Sequence, residues 1–300
     1  MAVHRIHLPE LRAHVEVGGG TALTITGPEA EHALRVKRLR PGEAVEVFDG
    51  AGAWLPGALA EPRADARATP ATAAGRRPRA RDLELIVNLT GQLRVEPAAR
   101  PPIVMAAPAA KGSRPDEMID LLSQVGVDAW LPLRTERTVI DPRERRPDKW
   151  QRRAIEAAKQ CGRRHLLDIR EPIHLADLID AANEHRRAAA GPRDDHASNP
   201  APPRLFVADA GAESGPETAD IDDRSPDAEV IMVIGPEGGL TPTELDDLRR
   251  IARASPVRLG PHIMRIETTA VAAGVLLVAA RSRGSARSEK AVPPERGERP

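Results

Sequence analysis

The chain is 300 residues long with 44 basic and 44 acidic side chains, a formal net charge of zero, so it has room for two domains and is not a polycation that would grip nucleic acid by bulk charge. Its one cysteine, Cys161, excludes an internal disulfide and any cysteine-based zinc cluster and fits a reducing compartment. No apolar signal core opens the chain and no apolar run could span a bilayer, so a soluble, cytoplasmic protein without a membrane partner is expected.

Residues 3–60 alternate short β-like runs with turn signals. LTI at 23–25 and AVEVFDGAGAWLPGALA at 44–60 read as strands, the latter with a glycine-rich bend around Asp49 to Gly52, and Pro28 and Glu29 open a short helix over 28–38. Residues 62–81 are rich in Pro, Ala and Arg without periodicity and read as a mobile insertion. DLELIVNLTGQLRVE at 82–96 returns to strand character and closes a small β-rich domain over residues 1–97.

From about residue 100 strands and helices alternate, the signature of a largely parallel sheet. IVMAA at 103–107 is a strand. Met118, Leu121, Leu122 and Val125 then recur at helical spacing behind an acidic first turn, with Gly126 as the stop. AWLPL at 129–133 is the next strand. Trp150, Ala154, Ala157, Ala158 and Cys161 line one side of a helix whose other side is basic. Nine basic residues against three acidic ones between 143 and 164 suit phosphate, or a solvated helix face. LFVA at 205–208 and VIMVI at 230–234 are further strands, the segments near 187–203 and 213–228 read as loop insertions, and 281–300 as a disordered tail. ETTAVAAGVLLVAA at 267–280 is apolar nearly all round, so it is expected to be covered on several sides, between subunits or within one.

The chemistry concentrates in GPEGGLTPTE at 235–244. Thr241 can cap, Pro242 suits the first helical position, and Glu244 completes a capping box, so the stretch reads strand, glycine loop, helix. Such a loop lets backbone amides approach a ligand at the carboxyl end of a strand. A second Gly-Pro bend follows in RLGPHIMRIETTA at 258–270, and the two strand ends can form one crevice. Its mainly apolar and backbone character suits an adenine and a thioether better than a triphosphate. Nothing resembles GxxxxGK[ST], HExxH or a His/Asp cluster with metal spacing, so no metal is expected. With only Phe48, Phe206, Trp54, Trp130 and Trp150 as aromatics, contacts to RNA would run through charge and backbone rather than base stacking.

VIGPEGGLTPTE (233–244) with LGPHIMRIETTA (259–270) resembles the C-terminal signature of the RsmE family, the 16S ribosomal RNA uridine N3-methyltransferases of the SPOUT superfamily. HALRVKRLRPGEAVEVFDGAG (32–52), KGSRPDEMIDLLSQVGV (111–127), PLRTERTV (132–139) and KWQRRAIEAAKQCGR (149–163) match further family stretches in the family's order. The resemblance implies an α/β fold: a small N-terminal PUA-like β-barrel domain that helps hold RNA, and a SPOUT trefoil-knot domain with a mostly parallel sheet over 100–280. It also implies a homodimer that binds S-adenosylmethionine and acts on 16S rRNA within the small ribosomal subunit.

By that resemblance the cofactor loops are Gly235, Pro236, Glu237, Gly238 and Gly239, and Leu259, Gly260, Ile263, Met264 and Arg265, with Leu133 from the preceding loop. Arg265 is the group that would stabilise negative charge on the uracil, and Glu267 its orienting partner or a base. Both could instead be structural, Glu267 helping to start the last helix. Expected RNA-binding residues are Arg35, Lys37, Arg38 and Arg40 in the first domain and Arg152, Arg153, Arg163 and Arg164 in the second. The helix at 115–125 departs from the family at Leu121 and Gln124, and Met264 and Ile266 stand where Leu and Thr are more usual. Two alternatives remain open: a ribose 2′-O methyltransferase of the same superfamily, and an RNA- or ribosome-binding protein without turnover.

Overall fold

The computed structural model describes residues 3–18, 20–61, 83–140, 147–190, 201–213, 215 and 225–291, and the segment 62–81 and the cores of the stretches near 187–203 and 213–228 lie outside them. Two compact units emerge, residues 1–98 with 158–166, and residues 99–157 with 167–300.

In the first unit, β1 (His4–His7), α1 (Leu11–Gly18), β2 (Ala22–Thr26) and a short α2 (Pro28–Glu31) come in succession. A π-helical turn at His32–Val36 continues α2, followed by β3 (Ala44–Phe48), β4 (Ala53–Leu59), β5 (Glu84–Leu89) and β6 (Arg94–Val95). The strands form one sheet in the order β1-β3-β4-β5-β2, with β6 on β4. Only β1 and β3 run parallel among these pairings. Burial alternates along β4, so Leu55 and Leu59 face a core with Ile6, Leu11, Ile25, Val47 and Val87 while Trp54, Pro56 and Ala58 stay half-buried.

The segment 158–166, which the sequence reading assigns to the second domain, packs with this first unit. The reason is ionic. Arg5 donates to the carbonyl of Lys159 at 3.1 Å, Lys159 pairs with Glu29 at 2.6 Å, and Arg164 bonds Glu46 and Glu96 at 2.9 Å each. The Arg164 guanidinium also lies 3.8 Å from the centre of the Trp54 ring.

The second unit contains β7 (Ile103–Ala107), α3 (Arg114–Val125), β8 (Ala129–Arg134), α4 (Pro147–Cys161) as far as residue 157, β9 (Asp168–Ile169) and β10 (Ile173–His174). Next come α5 (Leu175–Ala190), β11 (Arg204–Ala208), β12 (Val230–Val233), α6 (Pro242–Arg250), β13 (Ser255–Val257) and α7 (Ile266–Ala291). Every pairing in its sheet is parallel, in the order β10-β8-β7-β12-β11-β13 with β9 beside β8. β7 and β12 are buried at every position, as strands covered on both faces must be.

Strand parity sorts the core. Met105, Trp130 and Met232 meet Ile119, Leu122, Ala270, Ala273 and Leu277 on one face. Val104, Ala106, Leu131, Leu133 and Val233 meet Leu178, Ile179 and Leu248 on the other. Full burial of Met118, Ile119 and Leu122 is worth about 1.5–3 kcal/mol per side chain, which outweighs the modest helix propensity of a segment opening Arg-Pro-Asp-Glu. Gly274 lets α7 approach closely, because a Cβ there would stand 2.9 Å from Val127 Cγ2.

Two expectations are corrected. Residues 281–291 are not a disordered tail but the end of α7. Arg281 anchors them: it is buried, bonds Asp128 and donates to the carbonyls of Pro101 and Gly126 at 3.1 Å. Extending a nucleated helix through Ala, Ser, Arg, Glu and Lys costs little. α5 occupies 175–190, running into the stretch from about 187 expected as a loop insertion, and Leu175, Leu178, Ile179 and Ala182 are its buried stripe. Among the described residues, no helix is long and apolar enough to cross a membrane.

Candidate functional site

β12 ends at Val233, and Ile234 extends its pairing by donating to the Ala106 carbonyl at 2.9 Å. The chain then turns sharply, with Gly239 N–H bonding the Pro236 carbonyl at 2.8 Å. Gly239 takes φ +69°, in the left-handed region where a side chain is strained. The turn delivers Thr241 as the cap of α6: its hydroxyl accepts from Glu244 N–H at 3.2 Å, and the Glu244 carboxylate accepts from Thr241 N–H at 2.8 Å. The other Glu244 oxygen accepts from Glu136 N–H, also at 2.8 Å. Arg137 Nη1 donates to the Gly238 carbonyl at 2.8 Å. The glycine loop is therefore held from outside by the turn after β8.

A second loop, Arg258–Arg265, joins β13 to α7, and its last carbonyl, that of Arg265, accepts from both the N–H and the hydroxyl of Thr269 at 2.8 Å. The end of β11 supplies a third wall. There Asp209 accepts from Gly211 N–H at 2.9 Å and pairs with Arg249 at 2.5 Å. Between these loops lies a cavity of about 280 Å³ at the carboxyl ends of β11, β12 and β13, where parallel sheets place their ligands.

Seven of the expected cofactor residues line that cavity: Gly235, Pro236, Gly239, Leu259, Gly260, Ile263 and Met264. Glu237 and Gly238 are on the loop but not on the cavity wall, engaged instead by Arg114 and Arg137. Arg265 is exposed beside the cavity rather than in its lining. Leu133 is not brought to the site. Strand parity turns its side chain into the core beside Leu131, fully buried. Glu267 makes its ion pair with Arg114, 3.8 Å away, and its other oxygen, Oε2, is buried without a hydrogen-bond partner.

Of the residues assigned to RNA, Lys37, Arg38 and Arg40 are exposed. Arg35 pairs with Glu31 one turn earlier, Arg152 bonds the Asp148 carbonyl, and Arg153 pairs with Asp120. Arg163 is half-buried. Arg164 is the most committed of them. Partial burial acts to lower its pKa, but Glu46 and Glu96 outweigh that and hold the guanidinium more firmly protonated than usual. Sequence reasoning missed Asp209, Leu240, Leu245, His262 and Thr269 on the wall. For Asp209 a signal existed, since it directly follows the strand LFVA.

A parallel sheet whose carboxyl ends carry two glycine-bearing loops around one cavity defines an α/β protein with a ligand cleft at its strand ends. The RNA methyltransferase domain family matches residues 97–278, and the RNA methyltransferase PUA domain matches residues 25–62. The chain belongs to the RNA methyltransferase domain family.

The chain is 29% identical over 258 residues, 85% of each chain, to "Ribosomal RNA small subunit methyltransferase E" of Mycobacterium tuberculosis. A protein of the same name from Synechocystis is 27% identical over 253 residues, 82% of this chain and 69% of that one. Among solved structures, a Legionella pneumophila protein in complex with the cofactor SAM aligns with TM-score 0.68 and 21% identity, over 93% of this chain and 98% of that one. The small subunit methyltransferase E of Neisseria gonorrhoeae, bound to S-adenosyl methionine, gives TM-score 0.66 and 22% identity over 94% and 97%.

Proposed function

We propose that the protein uses S-adenosylmethionine to methylate N3 of a uridine in the 16S rRNA of the small ribosomal subunit, acting as a homodimer in the cytoplasm. The observation that carries this reading is the single cavity shared by the 235–240 and 259–264 loops. The names of the mycobacterial and cyanobacterial relatives support the substrate. The cofactors in the Legionella and Neisseria structures support the donor.

The residues present fit that donor. Leu240, Leu245, Leu259 and Met264 offer an apolar wall for an adenine, and Asp209, its carboxylate held by Arg249 and the Gly211 N–H, lies on the same wall. At Gly235 an added Cβ would lie 3.1 Å from both Leu240 Cγ and Leu240 N, so glycine leaves room that a side chain would take. When bound, S-adenosylmethionine supplies a methyl group already activated by its sulfonium. The protein's task is alignment, together with stabilising the negative charge that appears as uridine N3 loses its proton. Arg265, exposed beside the cavity, takes that electrostatic role, and the uracil must reach it in an opened, unpaired conformation.

In this reading residues 1–97 hold RNA and residues 100–280 form the methyltransferase domain. The return of the 258–265 loop to the 235–240 loop suits a knotted chain end. Leu121 on α3 and Val275 on α7, 41% and 50% exposed, suit a face covered by a second subunit. Lys37, Arg38 and Arg40 are the phosphate contacts with least internal commitment, and replacing them should lower the salt dependence of RNA binding.

The test is to incubate purified protein with unmodified small subunits and methyl-labelled cofactor, then identify the labelled nucleoside. N3-methyluridine in 16S rRNA is expected. Label on ribose would make it a 2′-O enzyme, and cofactor or RNA binding without label would make it a binding protein.

A further inference from the structure

Arg114, the first residue of α3, stands between two carboxylates. Its Nη1 is 3.6 Å from Glu237 Oε1, and its Nε is 3.8 Å from Glu267 Oε1. Glu237 belongs to the glycine loop after β12, and Glu267 to the first turn of α7, two residues beyond Arg265. One side chain from a third element thus touches both segments that frame the cavity. The distances are those of ion pairs rather than direct hydrogen bonds, so the link is a clamp of charge.

Glu267 needs such a partner. Its side chain is 13% exposed and its Oε2 is buried without a hydrogen bond. A carboxylate at that depth is costly unless a cation stays beside it. Without Arg114, two carboxylates that share one guanidinium would be left as neighbouring like charges with no cation from α3.

We propose that Arg114 is a positioning residue for methyl transfer: through Glu237 and Glu267 it holds the glycine loop and the head of the last helix, with Arg265, at one fixed spacing. The inference rests on the proposed methyltransferase function. It separates two effects. Loosening the glycine loop weakens cofactor binding, and displacing Arg265 lowers turnover, while RNA affinity, carried by other residues, stays.

The experiment compares the full-length protein with Arg114→Met, Arg114→Lys, Glu237→Gln and the double variant Arg114→Met/Glu237→Gln. It reads melting temperature, S-adenosylmethionine affinity by calorimetry, and kcat and RNA KM at saturating cofactor. Arg114→Met should weaken cofactor binding about 5- to 20-fold, the range of a lost charge contact, and lower kcat at least about tenfold, with RNA KM within about twofold. Arg114→Lys should recover most of both losses, because an ammonium keeps positive charge between the carboxylates. The double variant should bind cofactor no worse than Arg114→Met alone.

Folded Arg114→Met with unchanged cofactor affinity and kcat overturns the proposal, as does a loss seen only in RNA KM. Should Arg114→Met fail to fold, Glu237→Gln decides: its exposed side chain can change without unfolding, and cofactor affinity within twofold of wild type overturns the clamp. Wild-type protein that binds no S-adenosylmethionine removes the proposed function and the clamp with it. Wild-type binding with indifferent variants removes the clamp alone.

Discussion

Arg137 donates from Nη1 to the carbonyl of Gly238 at 2.8 Å, tying the turn after β8 to a loop 101 residues further along the chain. The bond is exposed, and the Glu136 to Glu244 bond runs beside it, so neither carries the loop alone. Arg137→Ala should therefore weaken S-adenosylmethionine binding by about fivefold, the loss of one modest hydrogen bond, with little change in melting temperature. Calorimetry beside thermal denaturation measures both, and an unchanged affinity would show that the loop holds its shape without the tie.

Two glycines of the same loop should fail differently. Gly239 has φ +69° and open space around its Cβ position, so Gly239→Ala pays only backbone strain, about 1 kcal/mol. That should lower the melting temperature by a few degrees at most. Gly235 has no left-handed backbone, but its Cβ would press on Leu240 at 3.1 Å. Gly235→Ala should leave stability nearly intact and reduce cofactor affinity about tenfold, because Leu240 must move into the cavity or the loop must open. The reverse pattern would contradict the assignment of these roles.

The end of the last helix depends on Arg281. Its guanidinium satisfies Asp128 and two carbonyls while Asp128 also accepts from Ile103 N–H at 2.9 Å. Arg281→Met leaves that carboxylate without its cation and should cost about 2–4 kcal/mol, read as a shifted denaturant midpoint with an unchanged slope. A cost under about 0.5 kcal/mol would mean that the anchor is dispensable.

Acid should loosen the first unit through His7. Burial lowers its pKa, Glu29 and Asp49 pull the other way, and Lys159 adds to the lowering. The neutral ring lies 3.3 Å from the Asp49 carbonyl and 5.4 Å from the Phe48 ring centre. Since the folded pKa lies below the unfolded value of about 6.5, the unfolded chain takes the proton first. The stabilisation is complete above that value and fades as pH falls toward the folded pKa. The drop in melting temperature between pH 7.5 and 5.5 should be smaller in His7→Gln than in wild type, and equal drops would remove His7 from the account.

The site was most legible where short-range rules suffice. Thr241, Pro242 and Glu244 announce α6 by themselves, and the capping box forms as those residue types require. The fully apolar runs at 103–107 and 230–233 likewise announce buried parallel strands. What sequence did not disclose depends on partners distant in the chain. Arg164 looks like one more cation of a basic helix until Glu46, Glu96 and Trp54 close around it. Arg281 looks like the start of a polar tail until Asp128 captures it. Leu133 sits one strand position from a loop, and only the parity of β8 reveals that it faces the core. Arg114 had no local signature at all, since both of its carboxylates lie more than a hundred residues downstream.

On the proposed function, the 235–240 and 259–264 loops, which line one cavity, make a pocket for a methyl donor. Titration calorimetry of S-adenosylmethionine into wild type and Leu240→Trp is the decisive comparison, because Leu240 lines the cavity, where an indole takes up volume, and neither Arg265 nor Glu267 is on its wall. Wild type should bind saturably at one site per chain, and Leu240→Trp at least about tenfold more weakly. Equal binding by both proteins, or none by wild type at millimolar cofactor, would contradict that reading.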